Sequence, residues 1–378
     1  MPSNLLLLKL FHYGFGNSAI RLITHYFTNR QQQARVNGVL SNAHEIERGV
    51  PQGSVLGPLF FLIFINDLPM HLKGTSCKLF ADDTTLSFCA DELDKATADL
   101  KLASERLMAW CANNRLDINW SKTFLMVVTN KRVTCPTEIQ IGGNPIKVVE
   151  HFKLLRVTID YKLTFNKHIS AVCRSINYKL HSIKKLFYLS TTVKIQFLKS
   201  FIMPYVDYCL TLSVYYSNTV LQRLSNAYYA CLNLLFKFNF TGQSPNDINN
   251  FLEKYILYAF PHRVLYRLFN FARKTLSNEP GPPILESYLK RNGEKAMGCT
   301  LRNSEKIYVA STRTNKGEAT FCYFFATFIN EFGADLFKVP DLSFKKHIYS
   351  NINIYSARFL AIFEKFNLKY HHRTFRKK

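Results

Sequence analysis

The sequence predicts an α+β protein, with a small antiparallel sheet packed by helices and then a mostly helical half. Three observations predict it. Before residue 160, short apolar runs are separated by turn residues, with Asn37-Gly38 and Gly142-Gly143-Asn144-Pro145 as hairpin signals. Asp91–Asn113 carries Leu93, Leu100, Ala103, Leu107 and Trp110 on one helical face. From about Asn166 the texture changes to helices rich in Tyr, Phe, Lys and Arg.

The elements follow in order. Residues 5–29 read as two helical pieces, Leu5–Phe11 and Ala19–Phe27, broken at His12-Tyr13-Gly14-Phe15-Gly16. Arg35 and Val36 form one arm of a hairpin and Val39 begins the other, turning at Asn-Gly. Gly49–Ser54 is a loop by its Gly and Pro content, and Val55–Leu68 reads as a buried helix, apolar nearly all round, with Pro58 near its start. Lys78–Ala81 and Thr84–Phe88 read as strands with Asp82-Asp83 at their junction. Asn119–Val128 passes from a turn into a strand, Ile139–Ile141 and Ile146–Val149 pair as a hairpin, and Phe152–Ile159 reads as one further strand. Asn278-Glu279-Pro280-Gly281-Pro282-Pro283 is a candidate linker, and the tail from His371 to Lys378 is basic.

A chain of 378 residues implies two or three domains, and 47% hydrophobic with 14% aromatic residues excludes a disordered tail. The net charge of +23 is uneven. Residues 1–160 hold 17 basic and 14 acidic side chains, a net +3; residues 161–378 hold 32 and 12, a net +20. Such an excess points to a polyanion, nucleic acid before acidic membrane, the plainer alternative being a protein that is simply basic. No basic amphipathic helix with a lipid-facing stripe stands out, which disfavours the membrane.

Nine Cys without a CxxC pair read as reduced, mostly buried thiols of an intracellular protein, cytoplasmic or nuclear. No secretory signal is visible, and the apolar part of the uncharged stretch Gly49–Asn66 is shorter than the ~20 residues of a membrane helix.

Asp82-Asp83 is an adjacent carboxylate pair in an apolar strand–turn–strand setting. Neighbouring carboxylates repel, and a divalent cation offsets that repulsion; Mg²⁺ favours such oxygens together with substrate phosphates, the donor set of two-metal phosphoryl transfer. An ordinary exposed turn is the alternative. The Gly49–Pro58 loop offers backbone N–H groups and the Gln52 amide, with no Walker lysine; a helix-entry turn is its alternative.

Taken together, these segments become recognisable. Gly49-Val50-Pro51-Gln52-Gly53-Ser54-Val55-Leu56-Gly57-Pro58, then Ile65-Asn66-Asp67-Leu68-Pro69, then Phe80-Ala81-Asp82-Asp83, resembles the palm domain of reverse transcriptases. The resemblance is in particular to jockey-like retrotransposons without long terminal repeats. The first element is similar to that family's motif B and the last to its motif C. Asn119-Trp120-Ser121-Lys122-Thr123 resembles motif D, and Phe152–Asp160 resembles the primer-grip motif E. Met203-Pro204-Tyr205-Val206-Asp207-Tyr208-Cys209 resembles a segment beyond the thumb. The similarity runs from about residue 5 to about 240 and weakly to the C-terminus.

The resemblance implies roles. Asp82 is the expected motif C metal ligand, with Asp83 its acidic neighbour, for Mg²⁺ or Mn²⁺. Pro51, Gln52, Gly53 and Ser54 are expected to line the nucleotide and template pocket, and Lys122 to approach the triphosphate. Phe152, Leu155 and Val157 are expected to hold the primer end. RNA template, DNA primer and deoxynucleotides are the implied partners, with no membrane. The implied organisation is a partial palm over 1–130, primer-grip strands over 131–165, a thumb-like helical region over 166–277 and a basic region over 278–378.

There are departures as well. In the family a motif A Asp lies on a strand just before a Leu-Leu-x-Lys-Leu helix; here that helix is matched by Leu7-Leu8-Lys9-Leu10, and no Asp or Glu precedes Glu45. Glu45 and Glu47 lie between the hairpin and the motif B loop, out of place as substitutes. The expectation is an N-terminally truncated reverse transcriptase, inactive alone, with unpaired sheet edges and low stability. The alternative is a non-catalytic RNA- or DNA-binding remnant. Motif E also carries Leu155-Arg156 where the family usually has Leu-Gly, so Arg156 is expected to distort the grip or sit outside it.

Overall fold

Two units, Met1–Glu150 and His151–Lys378, partition the chain, which is mixed α+β. The structure is a computed structural model. It describes residues 1–46, 49–51, 53–183, 188–238, 240, 243–255, 257–276, 285, 287–295, 304–312 and 315–366. Gln52, the candidate linker at 278–283 and the basic tail at 371–378 lie outside the described residues.

The first unit opens with α1 (Ser3–His12) and α2 (Asn17–Phe27). Two small ladders follow: β1 (Gln31–Gln32) pairs with β4 (His44–Glu45), and β2 (Arg35–Val36) pairs with β3 (Val39–Leu40). The inner turn is Asn37-Gly38, with φ of +51° and +86°, the left-handed pair that a two-residue hairpin loop requires. Next come α3 (Leu56–Ile65) and α4 (Leu68–His71). Leu6 and Leu10 of α1 meet Phe60 and Phe64 of α3, each pair four residues apart on one face, and Ile20 and Ile23 of α2 close this core. The expected helix Val55–Leu68 is therefore shorter, and it is buried on one side only: Leu59 and Leu62 face outward.

The strands β5 (Ser76–Phe80) and β6 (Asp83–Ser87) pair antiparallel and only with each other, so both outer edges are unpaired among the described residues. Their inner face, Cys77, Leu79 and Leu86, packs on Trp110 and Leu107 of α5 (Leu93–Asn113) and on Leu68 of α4. A three-stranded sheet, in the order β7 (Phe124–Leu125), β9 (Asn144–Val148), β8 (Glu138–Ile141), closes on Leu100 and Met108 of α5 and on Trp120.

The second unit starts with a hairpin, β10 (His151–Leu154) and β11 (Val157–Asp160). The single strand expected over Phe152–Ile159 is thus two, turning at Leu155-Arg156. Helix α6 (Asn166–Ile183) places Ile169, Cys173, Ile176 and Leu180 against α9 (Asn218–Phe236). Between them run α7 (Thr191–Phe197), a π-helical turn (Leu198–Ile202) and α8 (Met203–Asp207). Then come α10 (Pro245–Lys254) and α11 (Phe260–Leu276). Phe269 of α11 centres a phenylalanine core, its ring 5.1 Å from Phe328, 4.8 Å from Phe332 and 5.8 Å from Phe337. The helix Phe321–Phe332 supplies the first two. Most of the described aromatics of this half are buried or packed against that core.

The cysteines among the described residues are free thiols; Cys173 and Cys231 are buried, Cys89 is exposed and the others are half-buried. No helix among the described residues is long and apolar enough to cross a membrane.

Candidate active site

The β5–β6 register sets the acidic pair. Phe80 lies opposite Asp83, leaving Ala81-Asp82 as a two-residue loop. Ala81 takes φ +51°, a left-handed conformation that costs a non-glycine residue about 1 kcal/mol. Opposite residues in an antiparallel ladder share a face. Cys77, Leu79 and Leu86 are held inward by the core, so Lys78, Phe80 and Asp83 occupy the open face. Asp82 stands at the tip beside Asp83, and both are exposed. Neither carboxylate accepts a hydrogen bond or ion pair among the described residues, so their oxygens are available to a cation. Two carboxylates suit a hard divalent ion that completes its shell with water and phosphate. No cluster of three or more His, Cys, Asp or Glu side chains able to hold a metal occurs among the described residues.

The Gly49–Pro58 loop is shaped by glycine. Gly49 and Gly53 take φ of +96° and +80°. The Gly49 N–H donates to the Met1 carbonyl at 2.8 Å. Ser54 Oγ accepts the Gly57 N–H at 2.9 Å and closes the first turn of α3. A Cβ at Gly57 would lie 3.0 Å from that Oγ and 3.2 Å from Val50, so glycine permits the close approach. Pro51 is half-buried and Gly53 is exposed beside it. The structural role of Gly57 is not evident from sequence; its signal is a third glycine, three residues after Ser54.

Lys122 ends a 3-10 turn, Trp120–Lys122, and its side chain is exposed. Asn119 holds that turn, its side chain accepting from Ser121 at 2.7 Å and its carbonyl from Thr123 Oγ1 at 2.9 Å. Asp82, Asp83, Pro51, Gly53, Ser54 and Lys122 all belong to the first unit; Phe152, Leu155 and Val157 belong to the second.

In the second unit, Leu155 and Arg156 take φ of +45° and +68°, a left-handed pair that turns β10 into β11 in two residues. Arg156 is thus part of the two-residue turn itself, in a left-handed conformation that glycine adopts without a Cβ penalty. Val157 is buried, Phe152 half-buried and Leu155 exposed. The Tyr208 hydroxyl donates to the Leu155 carbonyl at 2.6 Å and pins the turn. This partner, 53 residues away, gave no sequence signal beyond the Met203–Cys209 motif. At the far end of the hairpin Asp160 Oδ2 accepts from Phe165 N at 2.7 Å and Oδ1 from Thr164 N at 3.0 Å, fixing the entry to α6.

The sequence comparisons point the same way. Residues 4–199 match the family described as reverse transcriptase (RNA-dependent DNA polymerase). The chain is 28% identical over 200 residues to the RNA-directed DNA polymerase from mobile element jockey of Drosophila melanogaster, covering 50% of this chain and 22% of that protein. It is 32% identical over 155 residues to the probable RNA-directed DNA polymerase from transposon X-element of the same fly, covering 40% and 17%. To the probable RNA-directed DNA polymerase from transposon BS it is 30% identical over 185 residues, covering 46% and 20%. The chain spans about a fifth of the length of these curated relatives.

Proposed function

The chain belongs to the reverse transcriptase family, and from that premise we propose that it carries one half of a polymerase metal site and a nucleic-acid grip. The reaction its residues serve is RNA-templated addition of a deoxynucleotide to a primer 3′-OH. The family generally uses divalent metal ions; here Asp82 and Asp83 would hold Mg²⁺, or Mn²⁺ in its place. A bound ion in this chemistry neutralises charge on the attacking and leaving oxygens. Pro51, Gly53 and Ser54 line the incoming nucleotide, Lys122 approaches its triphosphate, and Phe152 and Leu155 hold the primer end on a hairpin that the buried Val157 anchors to the core.

The observation that carries this reading is the loop register. Phe80 opposite Asp83 leaves Asp82 at the tip and both carboxylates exposed without a protein partner among the described residues. No third metal-binding side chain is grouped beside them among those residues, which favours a metal site that this chain fills only in part. A second reading, binding without catalysis, draws on the net +20 of residues 161–378.

The test of the substrate is equilibrium titration of a recessed RNA–DNA primer–template across salt. The expected result is an affinity that falls linearly on a logarithmic salt scale and is unchanged by Asp82→Asn. Binding that ignores salt, or no binding, overturns both readings.

A further inference from the structure

Beside the buried aromatics of the second unit lies an aromatic cluster that is open to solvent. Phe197 and Phe201 stack with centroids 4.8 Å apart and ring planes at 21°. Lys179 of α6 places its Nζ 5.7 Å from the Phe201 ring centre and 5.1 Å from that of Tyr205. Phe201 is 53% exposed and Tyr205 38%. Both sit where the π-helical turn meets α8, and π turns recur at functional positions.

The segment that carries this cluster holds charge of one sign. Residues 161–206 contain eight Lys and Arg and no Asp or Glu. The next acidic residue, Asp207, is already held by Arg263 and, at 2.8 Å, by Arg267. Phe201 and Tyr205 therefore lie in a cationic stretch of sequence whose adjoining carboxylate, Asp207, is already paired.

We propose that Phe201, Tyr205 and Lys179 form a stacking platform for single-stranded nucleic acid. Unpaired bases lie on the two rings while the phosphates meet Lys179 and the neighbouring cations. A duplex has no base faces to offer, since its own stacking covers them. The inference rests on the nucleic-acid reading above and deepens it, because it concerns strands outside the duplex. RNA and DNA single strands share the required chemistry.

The test is fluorescence anisotropy of the full chain with labelled oligo-U and oligo-dT of about 20 nucleotides, and with an RNA–DNA duplex of equal length, across salt. The Phe201→Ala/Tyr205→Ala variant is expected to weaken at least one single strand about tenfold at every salt concentration, with the salt slope unchanged. The strand that responds identifies the ligand. Duplex affinity is expected to stay within about twofold, and Lys179→Gln to lower the single-strand slope by about one. Tyr205→Phe is expected to bind as the parent does, and an unchanged unfolding midpoint of the double variant shows that folding is intact.

Single-strand affinity unaffected by the double variant overturns the platform. So does an equal loss on the duplex, or displacement of oligo-U by an acidic peptide in preference to a competing single strand. Stacking-dependent single-strand binding without any duplex binding supports the platform while overturning the duplex grip.

Discussion

Lys9 and Asp67 form a bidentate ion pair: the Lys9 ammonium lies 2.8 and 2.9 Å from the two Asp67 carboxylate oxygens, across 58 residues of sequence. It also donates to the Phe64 carbonyl at 2.7 Å and sits 4.4 Å from the Phe64 ring centre and 4.9 Å from that of Trp110. Three bonds and two rings satisfy one cation. The pair fastens α1 to the end of α3. Lys9→Met leaves a half-buried carboxylate unpaired and is expected to destabilise by about 2 kcal/mol. The Lys9→Met/Asp67→Leu cycle, read by urea unfolding, is expected to give a coupling of about 1 kcal/mol or more. Additive single effects would refute the link.

The β10–β11 turn makes a prediction of opposite sign. Arg156 holds φ +68°, where glycine carries no Cβ penalty. Arg156→Gly is expected to stabilise by about 0.5–1 kcal/mol, less whatever glycine adds to the entropy of the unfolded chain. Tyr208→Phe removes the hydroxyl that holds Leu155 and is expected to cost about 1 kcal/mol. Both are read as shifts in unfolding midpoint, and a destabilised Arg156→Gly would contradict the turn.

Stability is expected to fall on acidification in two stages. Burial pushes His262 down to about 4. Its folded value lies below the unfolded value of about 6.5, so its contribution is complete above that pH and is lost as pH falls toward 4. Burial pushes His168 the same way. His262→Gln is expected to flatten part of this limb in urea titrations at stepped pH. Partial burial raises the Asp160 carboxyl, but the bonds from Thr164, Phe165 and Lys162 outweigh it and leave the group below its ordinary value. Its contribution is therefore present above pH of about 4 and lost below. Asp160→Asn is expected to remove that lower step, and an unchanged acid limb would contradict the assignment.

Much of the fold was legible because local chemistry and tertiary packing agree. Asn37-Gly38 turns a hairpin, Leu93 to Trp110 line one face of α5, and Asp82-Asp83 lies where apolar strands reverse. The β10–β11 turn was not legible, since Leu155-Arg156 carries no turn chemistry and is held by distant Tyr208. The exposed side of α3 was hidden for another reason: Leu59 and Leu62 are as apolar as Phe60 and Phe64, and only neighbours decide which are covered. The same holds for Phe201 and Tyr205 against the buried Phe328 and Phe332. Charge asymmetry pointed to the basic half, but spacing could not separate an open ring from a core ring.

The most direct measurement is primer extension by the purified chain on an RNA template with Mg²⁺ and all four deoxynucleotides. The account predicts no extension by this chain alone, with salt-sensitive primer–template binding intact. An Mg²⁺-dependent product that disappears in Asp82→Asn would contradict it, because a further carboxylate of this chain would then be completing the metal site.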